Sequence, residues 1–142
     1  MTAMTNYLEN KLGDHLLRGI AYPMPTQLNH RLFTAAPGEA GGGTEVTGGS
    51  YAAVNLAPSQ TNYYGTHGTT VGASSGTSGL IDNAVAIVFP APTANWGLIT
   101  HMAVDDEAAN MLTYSPLTIS KTVNNGDPAP SVPIGDADFT FA

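Results

Sequence analysis

Leu8, Leu12, Leu16 and Ile20 recur at every fourth position, with Glu9, Asn10, Lys11 and Asp14 on the faces between them. This is the spacing of an amphipathic helix. Asn6 is placed to cap the first turn with Glu9 three residues on, Gly19 is a stop signal, and Pro23 and Pro25 forbid continuation. The pattern predicts a helix over residues 6–18, with His15 beside Leu12 and Leu16 on its buried side. After Pro25 the signal changes to short apolar runs punctuated by Gly, Pro, Asn and Asp. These runs predict strands at Gln27–Thr34, Val46–Leu56, Ala84–Phe89, Gly97–Val104, Met111–Thr113, Leu117–Val123 and Asp138–Phe141, with a turn at Asn124-Asn125-Gly126-Asp127. Strands in succession without intervening helices predict a mainly β fold. The expected architecture is an antiparallel β-sandwich with one short N-terminal α-helix, as a single domain over residues 1–142. Val85, Ile87, Phe89, Leu98, Val104, Leu117, Ile119 and Phe139 are its expected core.

Two stretches fall outside this pattern. Residues 35–49 contain Pro37-Gly38 and Gly41-Gly42-Gly43 and read as an extended loop. Residues 57–79 form a second irregular segment, longer than a compact domain leaves idle. It holds paired aromatics, Tyr63 and Tyr64, and almost no charge, so it gains more against a neighbour than in water. Leu8, Leu12 and Leu16 of the helix, with Tyr63 and Tyr64 of this loop, are the expected interface residues.

Composition narrows the classes. A chain of 142 residues is long enough to bury a real core without staples. It has no cysteine, so the redox compartment is unreadable. Eleven acidic residues against four basic ones give a net charge of −7, and no Lys or Arg occurs between Arg31 and Lys121. Such a chain lacks the cations that neutralise phosphates, which sets nucleic acid aside as a partner. The N-terminal residues carry no basic segment followed by an apolar one, and no run reaches the roughly 18 apolar residues of a membrane-spanning helix. A soluble protein without a membrane partner is expected.

Candidate chemistry is thin. Gly72-Ala73-Ser74-Ser75-Gly76 matches the G-x-S-x-G nucleophile pattern, but no helix start follows Ser74, as a nucleophile elbow requires. His15, His30, His67 and His101 are scattered, without the close pairing of a zinc site. Trp96 opens a predicted strand and reads as core. Asp105-Asp106-Glu107 and Asp136-Ala137-Asp138 lack the alternating ligand spacing of a calcium loop and read as solvated turns. No catalytic residue, cofactor or metal is expected, and the chain reads as a non-enzyme.

Several segments taken in order carry a resemblance. They are the capped helix, Gly41-Gly42-Gly43-Thr44-Glu45-Val46-Thr47-Gly48-Gly49-Ser50-Tyr51-Ala52, Ala84-Val85-Ala86-Ile87-Val88-Phe89-Pro90, Ala94-Asn95-Trp96-Gly97-Leu98-Ile99-Thr100-His101, and the run from Leu117 to Asp127. Together they resemble a family of small tailed-phage virion proteins, whose members are labelled tail-fibre-like or head-decoration proteins. The resemblance implies a β-structured, oligomeric virion component without catalytic residues. From it follows the expectation of a capsid decoration, or cement, protein. That protein would be synthesised in the host cytoplasm, assemble as a homo-oligomer, expected to be a trimer, and bind the major capsid protein on the exterior of the head. The alternative is a tail-fibre or baseplate component that mediates tail assembly or host-surface binding. For a glycan, Trp96 with Asn95 or Tyr63 with Asn62 would supply the aromatic platform.

Overall fold

The computed structural model describes residues 3–69, 71–75 and 77–141. Among the described residues, one helix and eleven strands alternate with loops in the order β1 (Ala3–Met4), α1 (Asn6–Leu17), β2 (Leu28–Ala35), β3 (Thr44–Glu45), β4 (Val54–Leu56), β5 (Tyr63–Tyr64), β6 (Leu80–Asn83), β7 (Ile87–Val88), β8 (Gly97–Asp105), β9 (Met111–Val123), β10 (Ser131–Val132) and β11 (Asp138–Thr140). Every strand pair is antiparallel. The largest sheet runs β1-β9-β8-β2-β3, with β4 pairing the other half of β2 on the same side as β3. The second layer is split into a three-stranded sheet, β11-β6-β5, and a two-stranded one, β10-β7.

Register explains how the layers meet. His30 lies opposite Val104 and Leu32 opposite Met102, so alternation puts these four side chains on one face of the large sheet. That face meets the second layer. Leu32, Ile99 and Val123 from the large sheet join Ile87, Phe89, Val46, Trp96 and Ala137 in a single core, with Val132 and Phe139 packed on its margin. Trp96 is core, as expected, and its indole N–H donates to Gly49 O at 2.9 Å.

Several expectations are corrected. Thr5, not Asn6, caps α1: its backbone is extended, and its Oγ1 accepts from Leu8 N–H at 3.4 Å. Only Leu8 of the helix is fully buried; Leu12 is half-buried, Leu16 is 74% exposed and His15 is exposed. A four-residue step overshoots one helical turn by about 40°, so each successive leucine rotates further from the contact. Val46–Leu56 is not one strand, because Gly48, Gly49 and Ser50 have positive φ and turn the chain between Val46, whose N–H donates to Leu32 O at 3.0 Å, and the strand Val54–Leu56. Met111–Thr113 and Leu117–Val123 are two ends of one strand. Within it, β8 advances two residues from Ile99↔Lys121 to His101↔Pro116 while β9 advances five. That irregularity pushes Ile119 outward to 82% exposure, and Leu98, which alternates away from buried Ile99, is 50% exposed. Neither belongs to the core.

Candidate functional site

Two of the concave surfaces beside the large sheet differ sharply in chemistry. The first is apolar, encloses about 380 Å³, and runs between α1 and the β5-β6-β11 sheet. Leu8 and Leu12 form one wall, Tyr63, Ile81 and Phe139 the other, and Val104 with Leu112 lies between. Gly19, at φ 70°, turns the chain out of α1, and Ile20 N–H reaches back to Asp14 O at 3.1 Å. The following segment lays Tyr22 and Pro25 along the groove. Tyr22 N–H donates to His15 Nδ1 at 3.2 Å, which holds this return segment against the helix. At the helix end Leu16, Leu17, Ile20 and Met24 are exposed, Leu17 to 87%.

Of the five expected interface residues, the fold brings Leu8, Leu12 and Tyr63 to one groove and leaves Leu16 outside it on the exposed helix end. Tyr64 pairs with Asp82 across β5 and β6, and alternation turns it away from Tyr63. Tyr63 is more than a surface anchor: its ring meets Phe139 edge-on with centroids 6.2 Å apart, and its hydroxyl lies 3.2 Å from His30 Nε2. Burial raises its phenol above the ordinary range. Sequence reasoning missed Tyr22, Pro25 and Phe139 at the groove. The available signal was the Pro23-Met24-Pro25 break, which forces the chain to turn back beside the helix it has just left.

The second surface is a polar cleft of about 610 Å³ on the opposite face of the sheet. Its centre is Arg31, which binds Glu45 through two nitrogens, Nε to Oε1 at 2.9 Å being one, and Asp105 Oδ2 through Nη1. Glu45 Oε1 also accepts from Tyr51 Oη at 3.0 Å, and Tyr51 Oη accepts from Leu32 N–H at 2.8 Å. The Glu45 hydrogen bonds, with help from Asp105, hold the Arg31 guanidinium still more firmly charged than usual. Burial pushes the Asp105 carboxyl up, against the opposing pull of Arg31. Because both carboxylates occupy the guanidinium, Arg31 is not free to receive an anion. The network clamps β2 to β3 and β8.

Asp105 and Asp106 are buried, which corrects the expectation of a solvated acidic turn. Asp106 Oδ1 accepts from Ala108 N–H at 2.9 Å and Asn110 N–H at 2.8 Å, an Asx-type turn that satisfies the carboxylate internally. His30 is fully buried, and desolvation lowers its pKa from the ordinary value. Ser74 Oγ accepts from Thr66 N–H at 3.3 Å, and among the described residues neither ring nitrogen of nearby His67 has a hydrogen-bond partner. Gly76, the last residue of that motif, lies outside the described residues. Trp96 and Tyr63 both spend their polar tips inside the fold, and Trp96 is buried. Among the described residues, no group of three or more His, Cys, Asp or Glu side chains is placed to hold a metal ion, and no helix is long and apolar enough to cross a membrane.

The sequence model of the family described as "Podophage GP4 fiber I protein gp80" matches residues 3–140, from the first described strand to the last. The chain belongs to this podophage fiber I family. No curated protein matches it. Membership makes the chain a phage virion structural protein, as the resemblance of its ordered segments implied, and one of the fibre type. The description names a fibre, and so favours the fibre alternative over capsid decoration.

Proposed function

We propose that the protein is a non-enzymatic tail-fibre subunit of a podophage virion and works there as an oligomer. The carrying observation is the family match across residues 3–140. The geometry supports the same reading. The apolar groove and the exposed apolar helix end beside it are surfaces suited to assembly. A decoration role on the major capsid lattice has no comparable support, and binding to a major capsid protein is left out of this reading.

Copy number and position in the particle test it. Quantitative mass measurement of purified virions, with gold-labelled antibody against this chain, should give at most a few dozen copies located at the tail. Hundreds of copies spread over the head would overturn the fibre reading and restore capsid decoration.

A further inference from the structure

The groove and the helix end are complementary halves carried by one chain. Leu16 and Leu17 are 74% and 87% exposed at the end of α1, and Met24 is 75% exposed on the return segment. They stand beside a groove whose lining is almost entirely apolar, walled by Leu12, Tyr63 and Phe139. A chain that leaves both halves in water exposes apolar area that contact with another surface would remove.

Charge decides which surface that is. Identical chains of net charge −7 repel one another over most of their area. The helical segment is the exception: Glu9 and Asp14 are balanced by Lys11 and Arg18, so the whole −7 comes from the nine acids and two bases after residue 24. Arg18 and Asp14 are joined at 2.8 Å on the exposed side of the helix. Two copies meeting through this segment and the groove, whose lining carries no charged side chain, therefore bring together neutral surfaces, while the net acidity lies on the rest of the chain.

We propose that the groove is occupied by the exposed helix end of a second copy, Leu16 and Leu17 of one chain entering between Leu12 and Tyr63 of the next. This rests on the fibre-subunit reading only for its setting in the virion. Each copy offers both halves, so the same contact serves a reciprocal two-fold pair or a head-to-tail repeat.

The chain has no cysteine, so introduced thiols report the contact without background. Equal amounts of the full chain carrying Leu17→Cys and the full chain carrying Ser59→Cys, a residue on the groove wall, are mixed and oxidised. The expected product is the mixed disulfide, in at least several-fold excess over either symmetric one. Leu16→Asp with Leu17→Asp, both on exposed positions, should abolish the oligomer in sedimentation while leaving circular dichroism and the melting temperature unchanged. The proposal is overturned if the parent chain stays monomeric as its concentration is raised. It also fails if the double-aspartate variant associates like the parent, or if the oligomer forms without the mixed disulfide. A virion in which the chain sits on the head, with these solution results intact, would refute the fibre reading and leave the contact standing.

Discussion

His30 of β2 and Tyr63 of β5 are joined across the two layers, Nε2 to Oη, at 3.2 Å. His30 Nδ1 faces Val54 O at 3.1 Å, and a carbonyl only accepts, so Nδ1 carries the proton and Nε2 accepts from the tyrosine hydroxyl. Both ends of a fully buried imidazole are thereby satisfied in its neutral form, and Phe139 packs edge-on against both rings. The neutral tautomer links the large sheet to the β5-β6-β11 sheet.

This neutral requirement sets a pH dependence. Burial lowers the His30 pKa in the folded state, so the unfolded chain takes up a proton first. Stability from this residue is full above about pH 6.5, the unfolded value. It is lost as pH falls toward the lower folded value, by at most about 1.4 kcal/mol per pH unit. Asp82 and Asp105, whose carboxyl pKa values burial raises, act with the opposite sign, gaining stability as pH falls toward the unfolded carboxylate value. The His30 contribution is therefore read as a difference: urea midpoints of the parent should decline more steeply below pH 6.5 than those of His30→Gln, which has no charge to gain. Equal slopes would show that His30 protonates without cost.

Asn83 is the second internal tie. It is fully buried at the end of β6; its Nδ2 donates to Val85 O and Pro133 O, each at 2.8 Å, and its Oδ1 accepts from Ala137 N–H at 2.9 Å. Asn83→Ala leaves two carbonyls and one N–H without partners and should cost about 3–5 kcal/mol in denaturant unfolding. Asn83→Asp, which turns two acceptors toward a carboxylate, should be no better than the alanine variant at neutral pH. A loss under about 1 kcal/mol for Asn83→Ala would mean that water takes over these bonds.

Gly49 and Gly48 separate steric from conformational cost. Both have positive φ, 55° and 72°. A Cβ at Gly49 would lie 2.9 Å from Trp96 Nε1 and 3.1 Å from Ala94 Cβ, whereas one at Gly48 would meet nothing within 4 Å. Gly48→Ala should cost only the left-handed backbone penalty, about 1–2 kcal/mol. Gly49→Ala should cost clearly more, because the Gly49 carbonyl that receives the Trp96 indole must also move. Trp96 is the only tryptophan, so its fluorescence follows both unfolding curves and should shift in the folded state of Gly49→Ala alone. Equal costs for the two variants would refute the close packing of Gly49 on Trp96.

Sequence alone determined the mainly β character, the helix at residues 6–17 to within a residue, the turn positions and the central strands β2 and β8. These follow from local causes: apolar periodicity, proline geometry and glycine at turns. It also placed Ile87, Phe89, Val104 and Trp96 in the core, because short apolar runs between turn signals have few places to go. The ordered run of segments pointed to a phage virion family. Tertiary structure alone decided what depends on a partner distant in the chain. Strands as short as β5, β7 and β10 have no period of their own and exist because another strand satisfies their backbone. Arg31 meets Glu45 and Asp105 only through the pairing of β2 with β3 and β8, and that pairing turned an apparently solvated acidic run into a buried clamp. The groove likewise arises where residues from α1, β5 and β11 converge. No local pattern records that convergence, because side chains far apart in sequence share a surface only after the layers have packed.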